Sequence, residues 1–417
     1  MGPTNSTDST FSRRGFMKGA LIGSVGALTA DPSSIAYAML AGTTPADIQG
    51  IGIRKGLVNL SSNENPLGPS AKAVEAVAQN MFHVNRYGWS MTPVPEDLLR
   101  NAIEKHHNLP ETTVTMENWQ EAWKERRVMI SAGSGPILEF AAITAIKDGA
   151  ELVQARPAYS DIAEVWMKFK RRQNANVKLH LVPLDDAYLH DLNAMYKRIN
   201  QNTTMVVITN PNNPSGTLLG HDELADFVQS VPKHVTVFID EAYIHFVREP
   251  GYRDAVHLAT EHDNVIVART FSKIHGLAGM RVGYSVAHPD THRRMDLYPV
   301  PEPSVLGCFA AAAALEDHDH IARCRQVAKA GKDYLGKSFD RLGIEYVPSD
   351  GSFMLFNMKR EVATTFAALA EKNVEIADAN WWGVKEHLRV TVGTPAENEA
   401  FIGALEQVLQ ESRPVAQ

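Results

Sequence analysis

Cysteine is nearly absent from this chain. Of 417 residues only Cys308 and Cys324 carry a thiol, and their spacing matches neither a metal site nor a disulfide framework. Cys324 follows a helical-looking run and reads as core; a bridge between the two is the single pairing available. Also lacking is any basic block beyond the first twenty residues. With a net charge of −7, that argues against nucleic acid as a partner. No apolar run approaches the ~20 residues that a membrane-spanning helix needs. Internal repeats and low-complexity tracts are missing too. What remains is 44% hydrophobic and 21% charged, the composition of a globular protein with length enough for two domains and a large core.

The N-terminus stands apart. Ser12-Arg13-Arg14-Gly15-Phe16-Met17-Lys18 precedes an apolar, Gly/Ala-rich run over residues 19–30 and then Ala36-Tyr37-Ala38. Twin arginines, a short weakly apolar stretch and a small-x-small site spell a twin-arginine signal peptide over residues 1–38. The expectation is a periplasmic or otherwise exported protein, with the twin-arginine export machinery as a partner.

Residues 39–55 read as an exposed arm, and residues 60–70 as a fixed loop punctuated by Pro and Gly. Amphipathic helices are expected at 71–81 and 95–107, the second with Leu98, Leu99, Ala102 and Ile103 on one face. From residue 127 strands and helices alternate. Short apolar strands are expected at 128–132, 152–155, 178–182, 205–209, 235–239, 264–268 and 282–286. Helices at 161–169, 192–199 and 223–229, and one opening at Pro136, separate most of them. This alternation predicts an α/β fold, a mostly parallel sheet flanked by helices, with its site at the carboxyl ends of the strands. Residues 310–342 read as one or two helices broken near 317–320. Strands at 353–357, 374–377 and 388–392, with helices at 361–371 and 397–410, predict a smaller C-terminal α/β domain. The expected division is the signal peptide 1–38, an N-terminal arm and helix 39–85, a large domain 86–300 and a small domain 301–417.

The strand ends carry the chemistry. At the end of the 264–268 run, Lys273 sits between Thr270 and Ser272 and eight residues before Arg281. Hydroxyls and a guanidinium around one amine make an anion site beside a nucleophile. A cofactor bearing both an aldehyde and a phosphate needs that pairing, and pyridoxal phosphate fits: the aldehyde condenses with the lysine, while the phosphate takes the donors. Gly133-Ser134-Gly135 opens a helix whose free N–H groups favour a phosphate. Tyr159 could stack on a pyridine ring. Asn213, in Asn210-Pro211-Asn212-Asn213-Pro214, would donate to the cofactor's phenolate oxygen, shared with Tyr243. Asp240 ends an apolar strand, and a buried carboxylate wants a cation, which a protonated pyridine nitrogen provides. Arg389, in an alternating strand, suits a substrate carboxylate through two parallel hydrogen bonds.

Jointly and in this order these segments resemble the fold-type I pyridoxal-phosphate aminotransferases, most closely the histidinol-phosphate aminotransferases, over residues 58–409. The likeness is densest at Asn63-Glu64-Asn65-Pro66, residues 210–216, Asp240-Glu241-Ala242-Tyr243, residues 270–281 and residues 388–398. It implies Lys273, Asp240 and Tyr243 as catalytic residues. It implies that Ser134, Gly135, Tyr159, Asn213, Thr270, Ser272 and Arg281 join them in holding pyridoxal 5'-phosphate, and that Arg389 and Asn65 bind substrate. Arg86-Tyr87 matches a segment whose tyrosine reaches the phosphate of the neighbouring subunit, which implies a homodimer. Three positions depart from the family pattern. Ala377 stands where members acting on histidinol phosphate usually carry an arginine that helps bind the substrate's phosphate. Leu67 replaces a tyrosine, and Gly351-Ser352-Phe353 replaces an Ala-Asn-Phe segment. Residues 113–126, with Trp119 and Trp123, look like an insertion.

The function expected is an exported aminotransferase that moves an amino group between an amino acid or small amine and a keto acid. Racemisation, decarboxylation, and elimination or cyclisation start from the same carbanion and are alternatives, as is a catalytically silent pyridoxal-phosphate-binding protein. The twin-arginine route carries folded proteins, which suits an enzyme that captures its cofactor before export.

Overall fold

The computed structural model describes residues 56–411 except 116, 299 and 360. The expected signal peptide and most of the arm lie outside the described residues. Thirteen strands are numbered in chain order: β1 (Val58–Asn59), β2 (Val128–Ser131), β3 (Glu151–Arg156), β4 (Lys178–Pro183), β5 (Thr203–Thr209), β6 (Thr236–Asp240), β7 (Val265–Thr270), β8 (Gly283–Ala287), β9 (Glu345–Val347), β10 (Phe353–Asn357), β11 (Val374–Glu375), β12 (Ala377–Asp378) and β13 (His387–Thr391).

Seven of them form one sheet in the order β2-β8-β7-β6-β5-β3-β4. All neighbours run parallel except β8, which is antiparallel to both β2 and β7. The central strands β5 and β7 are buried along their whole length, as expected of strands covered by helices on both faces. That burial explains their unbroken Val/Ile runs. Because β8 is reversed, its start lies beside the ends of β2 and β7: Gly283 pairs with both Ser131 and Thr270. The segments after β2, β3, β5, β6 and β7, and the one before β8, therefore meet at one edge of the sheet.

A second, antiparallel sheet runs β12-β13-β10-β9, and β1 pairs in parallel with β11. Two of its details depart from the sequence expectation. The strand expected at 374–377 is two short strands on different sheets, with Ile376 between them. Helix Val305–Leu315, placed by sequence in the small domain, packs instead against helices Ala71–Asn80 and Pro95–His106, and its Cys308, Ala310, Ala311 and Leu315 join the core under the large sheet. An alanine-rich helix is apolar all round and can be buried between two others. Val58 and Leu60, from the N-terminal segment, join the core of the second sheet with Phe339, Phe356 and Phe401. The helical break falls at Asp317, whose side chain accepts the His320 N–H as the cap of helix His318–Leu342. Cys308 and Cys324 are both free thiols and buried. Burial pushes the Cys308 thiol up to about 12. Among the described residues no helix is long and apolar enough to cross a membrane.

Candidate active site

Lys273 follows β7 by three residues. The Thr270 hydroxyl accepts the Ser272 N–H at 3.0 Å, a side-chain turn that bends the chain out of the sheet and presents the lysine. Lys273 Nζ donates to Ser62 O at 3.0 Å and lies 5.7 Å from the centre of the Tyr243 ring. Thr270 is buried and Ser272 half-buried beside it.

Asp240 ends the adjacent strand β6, in register with Ala268 on one side and Thr209 on the other. One carboxylate oxygen accepts the Ala242 N–H at 3.0 Å. Burial pushes the carboxyl up to about 7; the Ala242 N–H pulls it down, Asp161 and Glu241 push it further up, and the Lys273 ammonium pulls it down. Asp240 is thus a buried carboxyl that needs a cation, within electrostatic reach of Lys273. Tyr243 is buried on the same loop. Its oxygen accepts from Asn63 Nδ2 at 2.9 Å, and its ring packs edge-on to Phe353 at 5.0 Å.

The anion cradle assembles from two strands. Arg281, at φ +53 just before β8, donates from Nη1 to Ala278 O at 2.9 Å and lays its guanidinium against Gly133. A Cβ on Gly133 would stand 2.5 Å from Arg281 Nη2, and Gly133 itself has φ +88. Glycine is required there twice over. Next to it Ser134 and Gly135 open helix Gly135–Ala145, with no side chain capping its first N–H groups. Unspent N–H groups and a guanidinium at one spot suit a phosphate.

Tyr159, on the loop after β3, donates its hydroxyl to Asp161 at 2.8 Å. The residue is 37% exposed; burial of the rest, then the Asp161 carboxylate, push its ionisation upward. Asn213 and Arg389 meet directly: Arg389 Nη1 donates to Asn213 Oδ1 at 2.6 Å, and Nη2 to Ser61 O at 2.6 Å. With its oxygen occupied, Asn213 keeps its amide N–H groups for another acceptor. Arg389 Nε is buried without a partner, no carboxylate pairs with the group among the described residues, and burial pulls its pKa down to about 10.

Most of the residues singled out in the sequence therefore converge on one sheet edge, with Arg389 reaching in from β13. Two do not. Asn65 spends its amide on Ile274 O at 2.7 Å and Cys324 Sγ at 3.2 Å, while its oxygen accepts the Leu67 N–H at 3.0 Å. It ties the loop before the first helix to the lysine loop. Asn63, two residues earlier, is the asparagine that reaches the site. Tyr87 is 74% exposed and stacks on Trp89 at 6.0 Å, with no hydrogen bond to the site of its own chain. Reasoning from sequence missed Asn63, the Ser61 and Ser62 carbonyls, and Trp382 and Phe353 beside Arg389. The repeated asparagine in Asn63-Glu64-Asn65 was the available signal for the first.

A raised carboxyl awaiting a cation, an amine beside it, a phosphate cradle and an aromatic neighbour fit pyridoxal phosphate part by part. Fold and site together define a fold-type I pyridoxal-phosphate enzyme. The chain belongs to the aminotransferase class I and II family, whose sequence model matches residues 55–405. It is 37% identical over 363 residues to histidinol-phosphate aminotransferase 1 of Nitrosococcus oceani, covering 86% of this chain and 90% of that one. The histidinol-phosphate aminotransferase of Moorella thermoacetica is 36% identical, covering 85% and 86%. The crystal structure of the Sinorhizobium meliloti histidinol-phosphate aminotransferase in complex with pyridoxal-5'-phosphate shares the fold, with a TM-score of 0.73 at 22% identity over 85% of this chain and 91% of that one. This protein is a pyridoxal-phosphate-dependent aminotransferase.

Proposed function

We propose that the amino donor is an α-amino acid or small amine carrying one carboxylate, and that a keto acid takes the amino group. Arg389 carries this reading: a buried guanidinium with an unpartnered Nε, held by Asn213 and facing no carboxylate of its own. Bound pyridoxal phosphate supplies the electron sink for a carbanion at the donor's Cα. Lys273 Nζ would anchor the cofactor and then move the donor's Cα proton. Asp240 would hold the proton on the pyridine nitrogen, while Asn213 and Tyr243 would donate to the ring oxygen. Ser134, Gly135, Thr270, Ser272 and Arg281 would hold the phosphate.

The names of the relatives favour a second reading, histidinol phosphate as donor, with Arg389 holding a phosphate. Against it, Ala377 lies directly across from Arg389 in the β12–β13 ladder, so the second family arginine has no counterpart beside the first. A donor screen separates the two. Purified, cofactor-loaded protein is mixed with amino acids, amines and histidinol phosphate, and the fall in the cofactor's visible absorbance is followed. Arg389→Ala should weaken kcat/KM for carboxylate donors by roughly 100-fold, the worth of a charged hydrogen-bonded pair, and weaken carboxylate-free amines far less. Histidinol phosphate as the best donor would replace the first reading by the second.

We also propose a homodimer in which Tyr87 reaches the neighbouring subunit's phosphate; the exposed, stacked rings of Tyr87 and Trp89, with Phe82 exposed five residues earlier in the chain, support it. The leader at Arg13-Arg14 supports export, and cell fractionation with Arg13 and Arg14 both changed to Lys tests it.

A further inference from the structure

Two aromatic rings lie against Arg389. Its guanidinium carbon lies 4.7 Å from the centre of the Trp382 ring and 5.3 Å from that of Phe353. Two of its N–H groups are taken by Asn213 and Ser61, and Nε is buried without a partner. A guanidinium offers its donors only in its plane, and aromatic rings close beside it crowd the space outside that plane. A flat carboxylate meets in-plane donors with both oxygens. A phosphate ester can place two oxygens on the same edge, but its remaining oxygens project out of that plane.

Trp382 has a second role in the fold. It also lines a cavity of about 500 Å³ whose walls include Arg156, Lys170, Lys178, Met167, Leu179 and Trp381. Arg389 is not among those walls. Arg156 and Lys170 pair with no carboxylate among the described residues, Lys178 faces Glu151 at 3.8 Å, and Glu164 is the one acidic residue of the lining, so the cavity's lining is net basic. The turn Ala379–Trp382 is capped by Asp378, and Arg156 Nε donates to Trp382 O at 3.4 Å. Gly383, at φ +88, lets the chain pass close against the Arg156 guanidinium. The indole therefore stands beside Arg389 and also lines a solvent-open groove with basic residues, among them the exposed Lys178, and with the exposed Trp381.

We propose that Trp382 is the specificity-determining wall of this site: packed against Arg389, it restricts that guanidinium to a single flat carboxylate and disfavours a bulkier phosphate-bearing donor. This rests on the reading that Arg389 takes the donor's carboxylate. The test uses a matched pair that cannot react, 3-phenylpropanoate and phenyl phosphate, titrated by calorimetry into the cofactor-loaded protein, where the phosphate cradle is already filled. The native protein should bind the carboxylate tighter by about tenfold or more, Trp382→Ala should shift the ratio at least about tenfold toward the phosphate, and Trp382→Phe, which keeps a ring over Arg389, should retain the native ratio. An unchanged ratio in Trp382→Ala, with native circular dichroism, overturns the proposal, as does a native preference for phenyl phosphate. Carboxylate affinity that survives in Arg389→Ala overturns the reading beneath it as well. Because the ratio is read from binding, a protein that binds the pair as expected but responds to no amino donor fails the donor assignment and not this one.

Discussion

Asn63 Nδ2 donates to the Tyr243 hydroxyl oxygen at 2.9 Å, joining the loop after β1 to the loop after β6. With that oxygen already accepting, the phenolic proton is free to point into the site and serve the cofactor's ring oxygen. Asn63 has φ +55, a backbone state asparagine tolerates better than most residues. Asn63→Ala should therefore lose the donor and strain the loop. The expected result is a shift in the pH at which the bound cofactor's absorbance changes, followed by spectrophotometric titration, with kcat falling about tenfold. An unmoved titration would remove Asn63 from the site.

Lys273→Ala should still fold, since among the described residues its amine hydrogen-bonds only the Ser62 carbonyl. Cofactor can stay bound noncovalently, but an amino donor should no longer bleach its absorbance. Turnover should drop on the order of 100- to 10,000-fold, the range for loss of a positioned proton-transfer group. Native turnover in this variant would exclude the lysine.

Asp240 makes the cofactor-free protein sensitive to pH. Its carboxyl titrates near 7 in the fold, against about 3.9 in an unfolded chain. Between those values the folded state keeps a proton that the unfolded state has released, so stability falls as pH rises from about 4 to about 7, by up to about 4 kcal/mol. Thermal melts of apoprotein across that window should show the decline, and Asp240→Asn should flatten it. Pyridoxal phosphate should also flatten it by giving the carboxylate its cation. The same substitution should cost kcat on the order of 100- to 1,000-fold.

Gly133→Ala meets both a guanidinium and a left-handed backbone. Strain of this kind costs about 1–3 kcal/mol, and displacing Arg281 adds to it at the phosphate. Equilibrium dialysis should find cofactor affinity weakened tenfold or more, with far-ultraviolet circular dichroism unchanged. An unaltered Kd would place the phosphate elsewhere.

Where one short-range pattern dominates, the sequence was readable. Buried runs such as Val237-Phe238-Ile239 are strands because both faces are covered, and the polar residue at the end of each run marks the functional edge. Lys273, Asp240, Asn213, Tyr243 and Arg281 were legible for that reason and through the family likeness. Asn63 and Asn65 were not separable: both sit on an aperiodic loop, and only tertiary contacts decide which carboxamide faces the site. A helix was expected from residue 310, but its start at Val305 and its place under the large sheet were hidden by composition, since Ala310–Ala314 has no polar face to show what it packs against. Trp382 was hidden because its partner, Arg389, is met across strand pairing and a turn, which no local spacing encodes. The antiparallel placement of β8, which returns Arg281 to the shared edge, likewise follows from the sheet as a whole.

The hydrogen bond from Arg389 to Asn213 would, in the proposed function, join the residue that receives the donor to one that addresses the cofactor. An anion settling on the guanidinium would leave less of its charge to polarise Asn213, so docking of the donor would itself be legible as a shift in the colour of the bound chromophore.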